Sequence, residues 1–566
     1  MSLSISDRHR SIIDRETFSY CRGRREEQRP GAGKHRARTA SNRAPETTMQ
    51  LIDTFDRGAG YGLAEPCFIE PGGRTLSYGQ IQDMSHRIAN GLRAAGLDRD
   101  SKVGTLSANH LLTFPATLGI VRSGYMWLPV NARNAAEENA NILARGGCEF
   151  LFIHSQFAAQ LPGLLQALPG LKGVVCIDGA LPQAPSLQDW MARQSAAPAR
   201  SDARIDDVVA IRGTGGTTGL PKGVLVTHRN YLALLANWYA AMPVLERPVH
   251  LVVAPLSHAA GSATFAACAY GGCNVILPTA DPAAIIDAIG RYKVTQLFLP
   301  PTAIYKLLAH PEIRRGDYAS LRYFLYSAAP MSVDKLREAL DIFGPVMVQA
   351  YGQAEAPFMC TVLSAGEHAG ILRDPALRHR LASCGRASPF VRLGIMDPHG
   401  NLLPAGERGE IVVQGDLVAQ GYYQDPAKTA ETFKQGWLHT GDVGYQDGDG
   451  YLYIVDRMKD LIVSGGFNIS PSEVEQVLWA HPAVGDCAVV GVPDDHWGEA
   501  IKAVVELKAG AQWDAEQVLA YCRERLGSMK TPKTIEVWEQ LPRSSVGKVL
   551  KRDIRERYWS GQARRV

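Results

Sequence analysis

Several features are scarce in this chain, and each absence excludes something. The 566 residues carry 60 Lys and Arg against 57 Asp and Glu, leaving a net charge of only +3. A protein that held nucleic acid with its whole surface would show a clear basic excess. Paired cysteine is missing too. The ten Cys are scattered singly from Cys21 to Cys522, with no C-x-x-C pair. That argues against a zinc site, and the scatter fits a reducing cytoplasm better than a disulfide framework. No apolar run reaches across a membrane without interruption. Residues 251–280 contain no Asp, Glu, Lys or Arg, but Pro255, His258, Gly261, Gly271, Gly272 and Pro278 break them up. They read as a strand at 251–254, a small-residue helix near 261–270 and a strand at 274–277. Strands buried on both faces of a parallel sheet give such runs without a membrane. Internal repeats are absent as well.

What is present begins with a tail unlike the rest. Residues 1–48 hold eleven Arg or Lys and six acidic residues and show no apolar periodicity or h-region. They are expected to be a disordered basic tail, not a secretory signal. From residue 49 the apolar fraction, 46% over the chain, supports large buried cores. Strand-like runs at 103–106, 126–130, 150–153, 173–177, 294–299 and 321–326 alternate with helical spacing at 81–96 and 116–123. This predicts an α/β fold with mainly parallel sheets. Past residue 389 the texture changes to short strands and turns, a β-rich subdomain with a hairpin turn at 447–450. A smaller α+β segment follows, with helices near 472–479 and 518–525. The expected organisation is a tail at 1–48, a large domain at 49–456, a hinge at 457–460 and a small mobile domain at 461–566.

The stretch around which the rest is arranged is Thr214-Gly215-Gly216-Thr217-Thr218-Gly219-Leu220-Pro221-Lys222-Gly223, set between strand-like runs at 208–211 and 224–226. Glycines let backbone N–H groups turn inward onto an anion, threonines add hydroxyl donors, and Lys222 adds charge. The composition suits a polyphosphate. It is not a Walker loop, in which Gly-Lys is followed at once by Ser or Thr.

Six further motifs follow in order: Pro255-Leu256-Ser257-His258-Ala259-Ala260-Gly261, Ser327-Ala328-Ala329-Pro330, Gln349-Ala350-Tyr351-Gly352-Gln353-Ala354-Glu355, Trp437-Leu438-His439-Thr440-Gly441-Asp442, Ile462-Val463-Ser464-Gly465-Gly466-Phe467-Asn468-Ile469 and Pro542-Arg543-Ser544-Ser545-Val546-Gly547-Lys548. With the Gly/Thr loop they resemble the adenylate-forming enzymes: acyl-CoA synthetases, peptide-synthetase adenylation domains and luciferases. The resemblance spans about residues 60–556. It implies that His258 is a gate beside the carboxylate site, that Ala328 and Ala329 bend beside adenine, and that Tyr351, next to Gly352, stacks on adenine. It further implies that Glu355 binds Mg²⁺, that Asp442 accepts from both ribose hydroxyls, and that Arg457 is a second nucleotide-binding residue. Gly465 and Gly466 would line a pantetheine tunnel, Lys459 would be the hinge, and Lys548 the catalytic lysine. Each has a bland alternative. Glu355, for one, also reads as an acid at a helix N-terminus, favoured by the dipole. The family usually has Thr where this chain has Ala354, which removes one hydroxyl donor from the phosphate site.

The implied activity is a ligase that joins a carboxylic acid to AMP with loss of pyrophosphate and then to CoA, using ATP and Mg²⁺. A medium- or long-chain fatty acid is the expected substrate; Trp238 and Met359 are candidates for the pocket wall. Three alternatives stay open: an aryl or other carboxylic acid, an acyl-AMP ligase that loads a carrier protein, and a non-catalytic adenylate- or acyl-binding protein. The expected partners are small molecules and no nucleic acid. Peripheral membrane contact and the choice between monomer and homodimer are left open.

Overall fold

The computed structural model describes residues 48–213, 222–465, 467–544 and 547–559. The basic stretch up to residue 47, the residues 214–221 of the Gly/Thr loop, Gly466, Ser545 and Val546 lie outside them. Two large sheets carry the first part of the chain. One has six strands in the order Gly173–Cys176, Cys148–Ile153, Lys102–Ser107, Met126–Asn131, Val208–Gly213 and Gly223–Thr227. All its pairs are parallel except the last, an antiparallel pair that enters and leaves the Gly/Thr loop. The other has nine strands, with a parallel centre and antiparallel edges. The centre is apolar on both faces; Gln296–Leu299 and Cys273–Ile276 are buried at every position. That burial explains the uncharged run at 251–280, which forms strand Val249–Val252, helix Ala259–Cys268 and strand Cys273–Ile276.

Local chemistry sets the helices. Ser77 and Gln80 close a capping box ahead of Tyr78–Ala94, and Thr227 and Asn230 close one ahead of His228–Ala241. Each box satisfies two N–H groups that a helix start leaves without partners. Asn230 also donates from Nδ2 to the carbonyls of Asp416 and Val418, both 2.8 Å away. The helix that follows the Gly/Thr loop is thereby tied to the next layer.

That layer is an antiparallel sheet of Arg392–Met396, Gly409–Gln414, Trp437–Gln446, Phe433–Lys434 and Leu452–Arg457. After a short 3-10 turn, Met458–Asp460, a last sheet forms from Phe467–Ile469, Ile462–Ser464, Gly498–Leu507, Val484–Asp494 and Thr534–Val537. Helices Pro471–Trp479 and Ala515–Lys530 pack on it, around Val474, Leu478, Val518 and Cys522. Among the described residues, no helix is long and apolar enough to cross a membrane.

Candidate active site

The site is built from four places that are distant in sequence. Strands Met347–Gln353 and Ala356–Leu363 form an antiparallel hairpin whose turn is Ala354-Glu355. The helix-dipole account of Glu355 therefore fails: the residue lies in a β-turn, not at a helix start. The apolar run at 358–363 makes the returning strand. Gly352 is required there, because a Cβ would stand 2.5 Å from the Phe358 nitrogen and 2.8 Å from the Ala356 oxygen.

From this hairpin the Tyr351 hydroxyl donates to Asp442 Oδ2 at 2.7 Å, and both residues are buried. Burial, followed by the charge of Asp442, pushes the Tyr351 pKa well up, so the phenol stays protonated and remains a donor. Arg457 Nε lies 3.3 Å from Asp442 Oδ1, and the Asp442 N–H donates to Thr440 Oγ1 at 3.1 Å. Nearby, Ser327 is buried and Ala328 holds φ +79, left-handed for a residue with a Cβ. Strain of that kind collects at functional bends.

The Lys548 ammonium feels the charges of the same cluster. Its loop is a tight turn in which the Ser544 N–H donates to the Lys548 carbonyl at 2.7 Å and the Gly547 N–H to the Ser544 carbonyl at 2.8 Å. Gly547 holds φ +85, and a Cβ there would come within 3.0 Å of Thr302 Oγ1. The turn thus rests on the start of helix Pro301–Leu308. Burial first, then the charge of Arg457, pull the Lys548 ammonium down to about 8, against the opposing attraction of Asp442.

Glu355 is buried and its Oε1 accepts from the Tyr422 hydroxyl at 2.7 Å. Lys222 Nζ lies 5.5 Å from the centre of the Tyr422 ring. A single buried carboxylate suits Mg²⁺, which takes one or two carboxylates and fills the rest of its shell with phosphate oxygens and water. His258 stands at the N-terminal boundary of helix Ala259–Cys268, and its Nδ1 lies 3.0 Å from Ser257 Oγ. Burial first, then Arg212 and Arg133, hold its pKa down to about 4, so the imidazole is neutral near pH 7.

Gly465 turns between strands Ile462–Ser464 and Phe467–Ile469 at φ +58; its N–H donates to the Trp497 carbonyl at 2.8 Å, and a Cβ would meet the Trp497 ring at 2.6 Å. Gly466 and Thr214, Gly215, Gly216, Thr217, Thr218 and Gly219 are outside the described residues. The Lys459 ammonium is pulled down by burial and by Arg457, and Asp460 beside it pairs with Arg555 at 3.2 Å. Of the pocket-wall candidates, Trp238 stacks on Phe358, with ring centres 5.8 Å apart and planes at 8°, and Phe298 meets Phe358 edge-on at 5.1 Å. Met359 is wholly buried. Sequence reasoning passed over Tyr422 and Phe358. The only local sign for Tyr422 was the Asp425-Pro426 helix start just after it.

This arrangement is that of an adenylate-forming enzyme, and the comparisons agree. The family model for the AMP-binding enzyme matches residues 55–423, and that for the AMP-binding enzyme C-terminal domain matches residues 473–548. The chain belongs to the AMP-binding enzyme family. More narrowly, it is an enzyme of the AMP-forming acid–CoA ligase type, which works with ATP, Mg²⁺ and CoA. It is 36% identical over 516 residues to the medium/long-chain-fatty-acid–CoA ligase FadD8 of Mycobacterium tuberculosis, covering 88% of each chain. It is also 36% identical over 497 residues to a feruloyl-CoA synthase of an Amycolatopsis species, covering 87% of this chain and 95% of that one. ATP-bound MatB of Rhodopseudomonas palustris superposes with a TM-score of 0.81 at 29% identity, covering 90% of this chain and 99% of that one.

Proposed function

We propose that the chain activates a medium- or long-chain fatty acid as its acyl-adenylate and passes the acyl group to CoA. The carrying observation is that the Lys548 ammonium feels the charges of Asp442 and Arg457, the two residues read here as nucleotide contacts. Both reactants of the first step are anions, so positioning and charge neutralisation govern the rate. An acid oxygen attacks the α-phosphorus of ATP and pyrophosphate leaves. Magnesium, when bound, neutralises phosphate charge. Lys548 supplies a cation that is already partly desolvated, Asp442 fixes the ribose, and neutral His258 adds no charge of its own beside the acid. A thiolate of CoA then attacks the acyl carbonyl and AMP departs.

A second reading, an aryl acid, is favoured by one observation. Phe358, three residues beyond Glu355, stacks on Trp238 and meets Phe298 edge-to-face, an aromatic cluster of the kind that suits a planar ring. A panel of fatty and aryl acids, each with and without CoA and scored for AMP and thioester, separates the readings. Thioester from C8–C16 acids supports the first; thioester only from ring-bearing acids supports the second. Acyl-AMP that accumulates without giving thioester when CoA is added points to a different acceptor, such as a carrier protein.

A further inference from the structure

We propose that Tyr422 is the positioning residue of the metal site, its hydroxyl setting the Glu355 carboxylate and its ring seating the Lys222 ammonium. The inference rests on the reading of Glu355 as the residue that takes Mg²⁺.

Tyr422 is unusually well fixed by groups other than the ligand. Residues 421–423 run beside the strand that leaves the Gly/Thr loop: the Leu225 N–H donates to the Gly421 carbonyl at 2.9 Å, the Tyr423 N–H donates to the Gly223 carbonyl at 2.7 Å, and Tyr422 bridges Val224. The Tyr422 N–H donates to Thr429 Oγ1 at 3.0 Å, in helix Pro426–Thr432, and its ring meets Phe433 edge-on at 5.8 Å. The same segment holds the Glu355 backbone, since the Ala419 N–H donates to the Glu355 carbonyl at 2.8 Å. One short stretch therefore grips the exit of the Gly/Thr loop, the backbone of Glu355 and, through the Tyr422 hydroxyl, one oxygen of its carboxylate.

Two consequences follow from this geometry. A glutamate side chain has several rotamers, and a cation that needs one of them must order the rest on binding. With Oε1 held at 2.7 Å by Tyr422, that ordering is already done. The partner that orients a metal-binding carboxylate is worth roughly 10–100-fold in metal affinity. The ring acts separately. An aromatic face within about 6 Å attracts an ammonium, and Lys222 Nζ stands 5.5 Å from the ring centre. Tyr422 thus links the two cationic elements that face the phosphates, one resident in the chain and one borrowed.

Calorimetric titration of ATP into the full-length protein, with MgCl₂ and separately with EDTA, tests both roles. The ratio of the two dissociation constants measures the tightening that the metal contributes. Glu355→Gln is the reference: retention of the wild-type ratio in that variant would remove the metal reading itself. If Glu355→Gln loses the tightening, Tyr422→Phe, which keeps the ring and its packing, is expected to lose roughly 10–100-fold of it with metal-free ATP affinity unchanged and a modest fall in Tm from the lost hydrogen bond. An unchanged ratio in Tyr422→Phe overturns the hydroxyl's role. Tyr422→Leu should in addition weaken metal-free ATP binding; affinity equal to that of Tyr422→Phe overturns the seating of Lys222.

Discussion

Asp442 and Arg457 stand opposite each other across the antiparallel pair of strands Trp437–Gln446 and Leu452–Arg457, and their side chains meet at 3.3 Å. Asp442 is also the acceptor for Tyr351, and Arg457 is the last residue before the turn Met458–Asp460. The proposed ribose carboxylate is thus joined on one side to the proposed adenine hairpin and on the other to the proposed hinge. Asp442→Asn keeps the shape and removes the charge. ATP affinity should fall about tenfold or more, as expected when a charged hydrogen-bonding group of about 1.5–3 kcal/mol is lost. Equilibrium dialysis of ATP against the variant checks this; wild-type affinity would place the ribose elsewhere.

Lys548 gives a pH dependence with a definite sign. Its ammonium is held down to about 8, so the charged form predominates below that pH and is lost above it. In ATP–pyrophosphate exchange, kcat/KM should decline above about pH 8, where an ordinary lysine would stay charged for two further units. Lys548→Ala should lower adenylation by roughly 10²–10³-fold and flatten that limb. It should leave thioester formation from supplied acyl-AMP largely intact. The folded state binds this proton more weakly than the unfolded chain does. The charge therefore costs stability below about pH 8 and ceases to do so as pH rises past the unfolded value. Removing the lysine should not lower Tm at pH 7.

Lys459→Pro fixes φ and removes an N–H at the proposed hinge. In the proposed mechanism Lys548 is needed at the phosphate in the first step, and CoA must reach the acyl carbonyl in the second. A rotation between the two is expected, with a few torsions absorbing it. The variant should keep pyrophosphate exchange and lose thioester synthesis from acyl-AMP and CoA. Wild-type rates for both half-reactions would move the hinge away from Lys459.

Ala354→Thr restores the hydroxyl that the family usually places beside the phosphates. One neutral hydrogen bond is worth about 1 kcal/mol, so KM for ATP should fall by about fivefold at most. Initial-rate kinetics decide; a higher KM would mean that the turn has been repacked around alanine.

The α/β class could be read from the sequence because strands buried on both faces leave runs such as 251–254 and 274–277, which no amphipathic helix produces. The individual motif residues could be named as well. Their pairings could not. Tyr351 and Asp442 are 91 positions apart and Glu355 and Tyr422 are 67 apart; only the packing of one sheet on another brings them together. The helix-start alternative for Glu355 failed for a physical reason. An acid after a strand fits a helix start as well as a hairpin, and the deciding evidence was the β-rich run beyond it, Cys360-Thr361-Val362.

No single layer owns the site. Tyr351 and Glu355 come from the nine-stranded sheet, Asp442 and Arg457 from the antiparallel one, Lys222 from the edge of the six-stranded sheet, and Lys548 from a loop beside the last. Catalysis is then a property of the seams, and seams yield before cores do. As urea rises, turnover should vanish while most secondary structure is still intact, and it should return as quickly as the layers can slide back into place.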